Sequence, residues 1–270
     1  MAYVRTRLGR WFFEDRGDAK APTVVLAHGL LFDRTMWAAQ IEPLLALGAR
    51  VVTVDSPGHG NSEVPPPFSL DDNARAFVDA LDAWKIERPV VVGLSWGGML
   101  ALRLAIGHAE RVRAIVLADT TASEEPRANR LKYRMLASFE KHLGLPNWMA
   151  RRQIAPLLFS PEACANRPEL IDAWEKRVVG FSRLGIYRAA RAVVIDRPEI
   201  TSKLSRIKTP TLVLCGTADV AQPPAESEKL AKNISGAKLE MIPGAGHMSA
   251  LEEPEAFNAA LVPFVRAHLS

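Results

Sequence analysis

Cysteine is scarce in this chain: Cys164 and Cys215 are the two among 270 residues. Two thiols so far apart in sequence suggest neither a disulfide framework nor a zinc site. Cys215 adjoins the apolar run Leu212-Val213-Leu214 and reads as a buried, inert thiol. Long apolar runs are missing as well, so no segment is expected to span a bilayer. The first residues, Met1-Ala2-Tyr3-Val4-Arg5-Thr6-Arg7, lack the apolar core of a signal peptide. These absences together predict a reduced, cytoplasmic protein. A dominant charge is also absent, with 34 Lys and Arg against 30 Asp and Glu and a formal net charge of +4. Basic residues are interspersed with acids, apart from an enrichment between Arg127 and Arg152. That balance argues against a nucleic-acid or membrane-surface partner. There is no multi-histidine cluster to hold a metal, and no internal repeat or low-complexity tract.

What is present is an ordinary globular composition, 48% hydrophobic and 24% charged, in a chain long enough for one well-buried core. Strand-like and helix-like segments alternate. Strands are expected at 23–27, 51–54, 90–92, 112–117, 211–214 and 238–242. Helices are expected at 34–47, 70–84, 97–109, from about 225, and at 254–268. Ser69 is placed to cap the second of these, with Asp71 and Asp72 in its first turn. The alternation predicts an α/β fold, a mostly parallel doubly wound sheet covered on both faces. Residues 3–6 and 11–13 read as an antiparallel edge hairpin. Residues 121–205 break the pattern and read as helices alone, at 129–143, 148–159, 168–179 and 184–194. An all-helical insertion of that kind is expected to cover the strand ends as a cap, leaving 1–120 and 206–270 as the core domain.

The pentapeptide Gly93-Leu94-Ser95-Trp96-Gly97 joins an apolar strand to an apolar helix. A serine at such a sharp turn is pushed out of the sheet's end with a positive φ, and glycines two residues to either side avoid a clash across the turn. A serine hydroxyl needs a base to become a nucleophile. Among six histidines, His247 follows the last strand in a glycine-containing loop at the same sheet end. His28 and His59 sit among turn residues and read as loop-shaping. The imidazole needs a carboxylate. Asp219, after the strand at 211–214, is preferred, and Asp119, after the strand at 112–117, is its rival. Asp55 reads as a turn former beside Pro57-Gly58. Backbone N–H groups of Trp96 and Leu30, with Leu31 possible in place of the latter, are the expected oxyanion donors. Trp37, Leu31 and Met248 lie close in sequence to these segments and, with Phe139 and Trp148 of the cap, are the expected substrate contacts.

These segments resemble the α/β-hydrolase superfamily. His28-Gly29 is similar to its oxyanion loop, and Asp55-Ser56-Pro57-Gly58-His59-Gly60-Asn61-Ser62 to its D-x-x-G-x-G-x-S turn. Gly93 to Gly98 resembles the nucleophile elbow, Gly216-x-x-Asp219-x-x-x-Pro223 the acid loop, and Gly246-His247 with Glu253-Pro254 the histidine loop. The order Ser95, Asp219, His247 is the superfamily's own. The resemblance implies an eight-stranded sheet with a helical cap inserted after the sixth strand, and no cofactor or metal. Within the superfamily the chain looks most like carboxylesterases and 3-oxoadipate enol-lactonases. Trp96 departs from the slimmer residue common there and puts the acyl pocket in question. The implied activity is ester hydrolysis on small to medium apolar or aryl substrates. Lactone or C–C cleavage and perhydrolysis are alternatives on the same triad, and a non-catalytic small-molecule receptor is a further one. Lactone or C–C substrates bearing carboxylates predict a cap arginine facing Ser95, drawn from Arg127, Arg130, Arg134, Arg151 and Arg152. Monomer and homodimer both stay open.

Overall fold

The computed structural model describes residues 2–144 and 146–269. Eight strands form one sheet: β1 (Ala2–Thr6), β2 (Gly9–Arg16), β3 (Thr23–Ala27), β4 (Arg50–Val54), β5 (Val90–Leu94), β6 (Ala114–Ala118), β7 (Thr211–Gly216) and β8 (Lys238–Ile242). Their order across the sheet is β1-β2-β4-β3-β5-β6-β7-β8. β1 and β2 form the antiparallel edge hairpin, β2 runs antiparallel to β4, and every later pairing is parallel. The strand order reverses at β3, which has β4 on one side and β5 on the other. Such a switch point opens a crevice beyond the carboxyl ends of the strands. The loops that leave β3 and β5 therefore border it.

Alternation along the strands sends side chains to two cores. Val24 and Leu26 of β3, Val90 and Val92 of β5, and Val116 of β6 join one core. Val25, Val91, Ile115 and Leu117 join the other. Both faces of the central strands are covered, so β3, β5 and β6 are apolar at nearly every position. Helices α1 (Ala38–Leu45), α2 (Leu70–Trp84) and α3 (Trp96–Gly107) connect the first strands. Ser69 starts α2 through a reciprocal capping box: its hydroxyl accepts from the Asp72 N–H, and Asp72 accepts from the Ser69 N–H at 2.9 Å.

Between β6 and β7 the chain is helical: α4 (Arg127–Leu143), α5 (Asn147–Met149), α6 (Ala155–Leu158), α7 (Pro161–Asn166), α8 (Pro168–Val178) and α9 (Arg183–Ala190). The core closes with α10 (Pro224–Asn233), α11 (Ser249–Glu252) and α12 (Pro254–Ala267). The single helix expected over 148–159 is broken, because α5 passes through a π-turn at Ala150–Ile154 before α6 begins. Pro156 supplies no backbone N–H and its ring clashes with the preceding turn, so a regular α-helix does not continue through it. The helix at 161–166 was not anticipated; Ser160 caps it and Pro161 occupies a tolerated first-turn position. The strand expected at 112–117 begins two residues later, because a 3-10 turn at Ala109–Arg111 is capped by Val112.

The helical segment is tied to the core at several points, among them the Ser160 N–H, which donates to Glu252 at 2.9 Å, and Arg167, which donates to the Glu252 carbonyl. The Trp174 indole N–H donates to the Leu31 carbonyl at 3.2 Å, and Arg177 pairs with buried Asp33 at 3.1 Å. The backbones of Gly58 and Gly185 touch: a Cβ on Gly185 would lie 2.4 Å from the Gly58 oxygen, and one on Gly58 would lie 2.7 Å from the Gly185 Cα. Only glycine admits so close an approach.

Candidate active site

Ser95 joins β5 to α3 with φ +52° and ψ −107°, a region costly for a residue with a side chain. The surroundings over-determine it. Its N–H donates to the Ala118 carbonyl at 2.8 Å, and its carbonyl accepts from the Thr120 hydroxyl at 2.7 Å. Gly93 and Gly97 leave no space for a Cβ. One on Gly93 would sit 2.1 Å from the Gly97 carbonyl, and one on Gly97 would sit 2.1 Å from the Ala27 oxygen. The turn exists because the glycines face each other and β3 across it.

His247 follows β8, and its Nδ1 lies 2.8 Å from Asp219 Oδ2. Asp219 follows β7, and its other oxygen accepts the N–H groups of Ala221 at 2.9 Å and Gln222 at 2.8 Å. The carboxylate is thereby anchored on one oxygen and presents the other to the imidazole. A carboxylate at Nδ1 selects the tautomer with its proton there and leaves Nε2 as the acceptor. Burial pushes His247 down, but the charge and hydrogen bond of Asp219 outweigh it and raise its pKa above the ordinary 6.5. Ser95 and His247 both line one cavity of about 390 Å³ beneath the helical segment.

Asp119, the rival acid, is not the hydrogen-bond partner of His247. It is fully buried at the end of β6 with φ +48°. One oxygen accepts the Gly216 N–H at 2.8 Å, and the other meets the Ser249 hydroxyl. Burial, reinforced by the nearby charge of Asp219, raises its pKa far above the carboxylate range. Asp119, Cys215 and Asp219 bring ligand-type atoms within 4.8 Å of one another. The fully buried thiol, its own pKa pushed up to about 12 chiefly by burial, is protonated and suits no ion there.

Two buried imidazoles brace the loop after β3. His28 Nε2 accepts the Ser56 N–H at 2.8 Å, so its Nδ1–H donates to the Gly29 carbonyl at 2.7 Å. His59 Nε2 accepts the Leu31 N–H at 3.2 Å. Both rings are neutral: burial lowers His28, and burial with the neighbouring His28 lowers His59 to about 3. Leu31 adopts φ +66°, and its N–H is committed to His59. Among the described residues, no protein acceptor meets the N–H of Leu30 or of Trp96. Asp55 is a turn former: its carboxylate accepts from the Arg34 and Asn61 N–H groups, both at 2.9 Å.

Leu30 and Leu31 line the cavity with Ser95 and His247. Four other expected substrate contacts do not. Trp37 is fully buried and packs near Phe257 behind the sheet. Met248 turns into the same core instead of the cavity. Phe139 and Trp148 point outward from the helical segment, the latter 63% exposed. Proximity in sequence to a loop did not dictate side-chain direction for any of them. Trp96 is likewise turned away from the cavity. Its indole stacks near Phe68, lies against His28 and His59, and donates to Asn73 at 2.9 Å. Its bulk therefore supports the elbow from behind and does not reshape the pocket.

The walls come instead from Met99, Leu136, Leu158, Phe181, Ile186 and Val193, with Ala221 and Gln222 from the acid loop. Met99 is not among the expected contacts, although its place one helical turn after Ser95 was a signal that could have found it. Of the arginines weighed from the sequence, none lines the cavity, and Arg151 is paired with Asp172 and Glu175. Two other arginines do line it. Arg197 is buried and donates to the Ser123 and Val193 carbonyls at 2.8 Å, with Glu125 at 3.4 Å. Arg183 is exposed at the rim.

Known proteins are similar in sequence and fold. A 3-oxoadipate enol-lactonase of Acinetobacter baylyi is 29% identical over 251 residues, spanning 93% of this chain and 91% of that protein. A thermophilic esterase from Thermogutta terrifontis superposes with a TM-score of 0.91 at 28% identity, covering 100% of both chains. An enol-lactonase from Burkholderia xenovorans superposes with a TM-score of 0.90 at 27% identity, covering 98% of this chain and 99% of its own. The model of the alpha/beta hydrolase family matches residues 24–260, nearly the whole length, and the chain belongs to that family.

Proposed function

We propose that this protein is a serine hydrolase that cleaves carboxylic esters of small to medium apolar or aryl type. The observation that carries the reading is one cavity walled by both Ser95, on its strained turn, and His247, held by Asp219 at 2.8 Å. His247 Nε2 takes the Ser95 proton as Oγ attacks the carbonyl carbon. Asp219 keeps the imidazole in that tautomer and stabilises its cationic form. The N–H groups of Leu30 and Trp96 receive the developing oxyanion; the commitment of the Leu31 N–H to His59 favours Leu30 over its neighbour. The alcohol leaves with the proton from His247, and water repeats the sequence to release the acid. The esterase and enol-lactonase among its relatives agree with acyl chemistry of this kind.

The lining supports an apolar substrate over a dicarboxylate lactone. Arg197 is buried and held by the Ser123 and Val193 carbonyls and by Glu125, which leaves Arg183 at the rim as the exposed cation for a substrate carboxylate. A panel of p-nitrophenyl esters of increasing acyl length, assayed beside enol-lactones, tests this. Ser95→Ala should abolish turnover and prevent labelling by a fluorophosphonate while the protein stays folded. Full activity in that variant overturns the mechanism, and preference for the dicarboxylate lactone overturns the substrate class.

A further inference from the structure

Helix α4 has two apolar faces, although a helix at a protein surface normally has one. Tyr133, Leu136, Ala137 and Glu140 line the cavity. On the outer side, Leu131, Met135, Phe139 and Leu143 recur every fourth residue and are 61%, 64%, 38% and 69% exposed. The stripe is about 18 Å long at 1.5 Å per residue. Trp148, just beyond, is 63% exposed. Leu143 belongs to both surfaces, and Pro146 and Asn147 line the cavity next to it, so the stripe runs onto the cavity rim.

Charge is segregated in the same place. Residues 127–159 carry seven Lys and Arg and a single acid, Glu140, so the rest of the chain is slightly acidic. Arg127, Lys132, Arg134 and Arg152 are exposed, and among the described residues no carboxylate pairs with them. The near-balance of the whole chain concealed this, because it averages a basic face against an acidic remainder.

We propose that the outer face of α4, with Trp148, rests on an anionic lipid surface and turns the cavity rim toward it. The pattern is that of an interfacial helix: apolar residues along one stripe, Lys and Arg flanking it, and a tryptophan at the margin. A second copy of the chain is disfavoured as the occupant, since two such basic faces repel each other. The stripe is also a ridge on the outer side of a single helix, which suits a fluid surface. Apolar esters partition into bilayers, so the rim would meet them where they concentrate. This proposal extends the substrate class above but does not depend on the Ser95 chemistry.

Sedimentation with vesicles of phosphatidylcholine, with and without phosphatidylglycerol, tests it. The protein should bind the anionic vesicles and dissociate at high salt. Each Lys or Arg near such a surface contributes about five-fold in partitioning, so Lys132→Ala with Arg134→Ala should weaken binding about 25-fold. Leu131→Ser with Met135→Ser should abolish it while hydrolysis of a dissolved ester is unchanged. Ser95→Ala protein should bind as the parent does, which separates failure of this proposal from failure of the mechanism. Absence of binding to anionic vesicles, or a concentration-dependent dimer that Met135→Ser dissociates, overturns the proposal.

Discussion

Asp219→Asn separates the two acids most sharply. Asn keeps a carbonyl oxygen for the Ala221 and Gln222 N–H groups, so the loop should hold its shape. It replaces the acceptor at His247 Nδ1 with an amide donor. The imidazole then carries its proton on Nε2 and cannot take one from Ser95. The equivalent change in serine proteases lowers kcat by about 10⁴-fold, or about 5 kcal/mol of transition-state stabilisation. The pH profile gives an independent reading. In the parent, Asp219 raises His247 above 6.5, and only the neutral imidazole is a base. The acidic limb of kcat/KM therefore lies above 6.5 in the parent. In Asp219→Asn the largest raising effects are lost while burial remains, and the limb moves to lower pH. Asp119→Asn should leave most of the rate, because its oxygens serve Gly216 and Ser249. Steady-state kinetics on both variants from acid to neutral pH measure all of this. If Asp119→Asn is the crippled variant and Asp219→Asn works at near-parental rate, the assignment is wrong.

Other changes test the scaffold. Gly97→Ala puts a Cβ 2.1 Å from the Ala27 oxygen, and the resulting strain should cost about 3 kcal/mol or more, read as a lowered urea midpoint with loss of activity. His59→Phe removes the acceptor of the Leu31 N–H and should cost about 1–3 kcal/mol, with kcat falling more than KM rises. His59 also governs acid stability. Its folded pKa of about 3 lies below the ordinary 6.5, so the unfolded chain binds the extra proton between those values and stability falls as pH falls from 6.5 toward 3. The loss is about 1.4 kcal/mol per pH unit at most from this one group, and His59→Gln should flatten that part of a urea-midpoint profile against pH.

The sheet was legible because its strands are short, uninterrupted apolar runs buried on both faces, as at Val90-Val91-Val92. The strand-end rule places Ser95, Asp219 and His247 at one end of the sheet, where each follows a strand. Substrate contacts were less legible. Trp37 and Met248 follow the oxyanion and histidine loops closely, yet their side chains fill the core, since large apolar groups gain most by full burial. Most helices between β6 and β7 were located, but α7 and the breaks were not. Pro156 marked one break plainly, whereas the π-turn at Arg191–Ile195 extends α9 with no proline or glycine to announce it. Phe139, an expected substrate contact, instead lies on the outer side of α4. The four-residue repeat from Leu131 to Leu143, beside the inward Tyr133, Leu136 and Ala137, was the overlooked sign of a second, outward stripe.

The contact between Gly58 and Gly185 has a mechanical consequence. Backbone abuts backbone there, with Trp174 and Arg177 fastening the chain nearby. The helices over the cavity cannot lift there without breaking several bonds at once. Because backbone meets backbone, no rotamer change can make room for a Cβ, so a side chain at Gly185 would have to shift the helical segment bodily against the core.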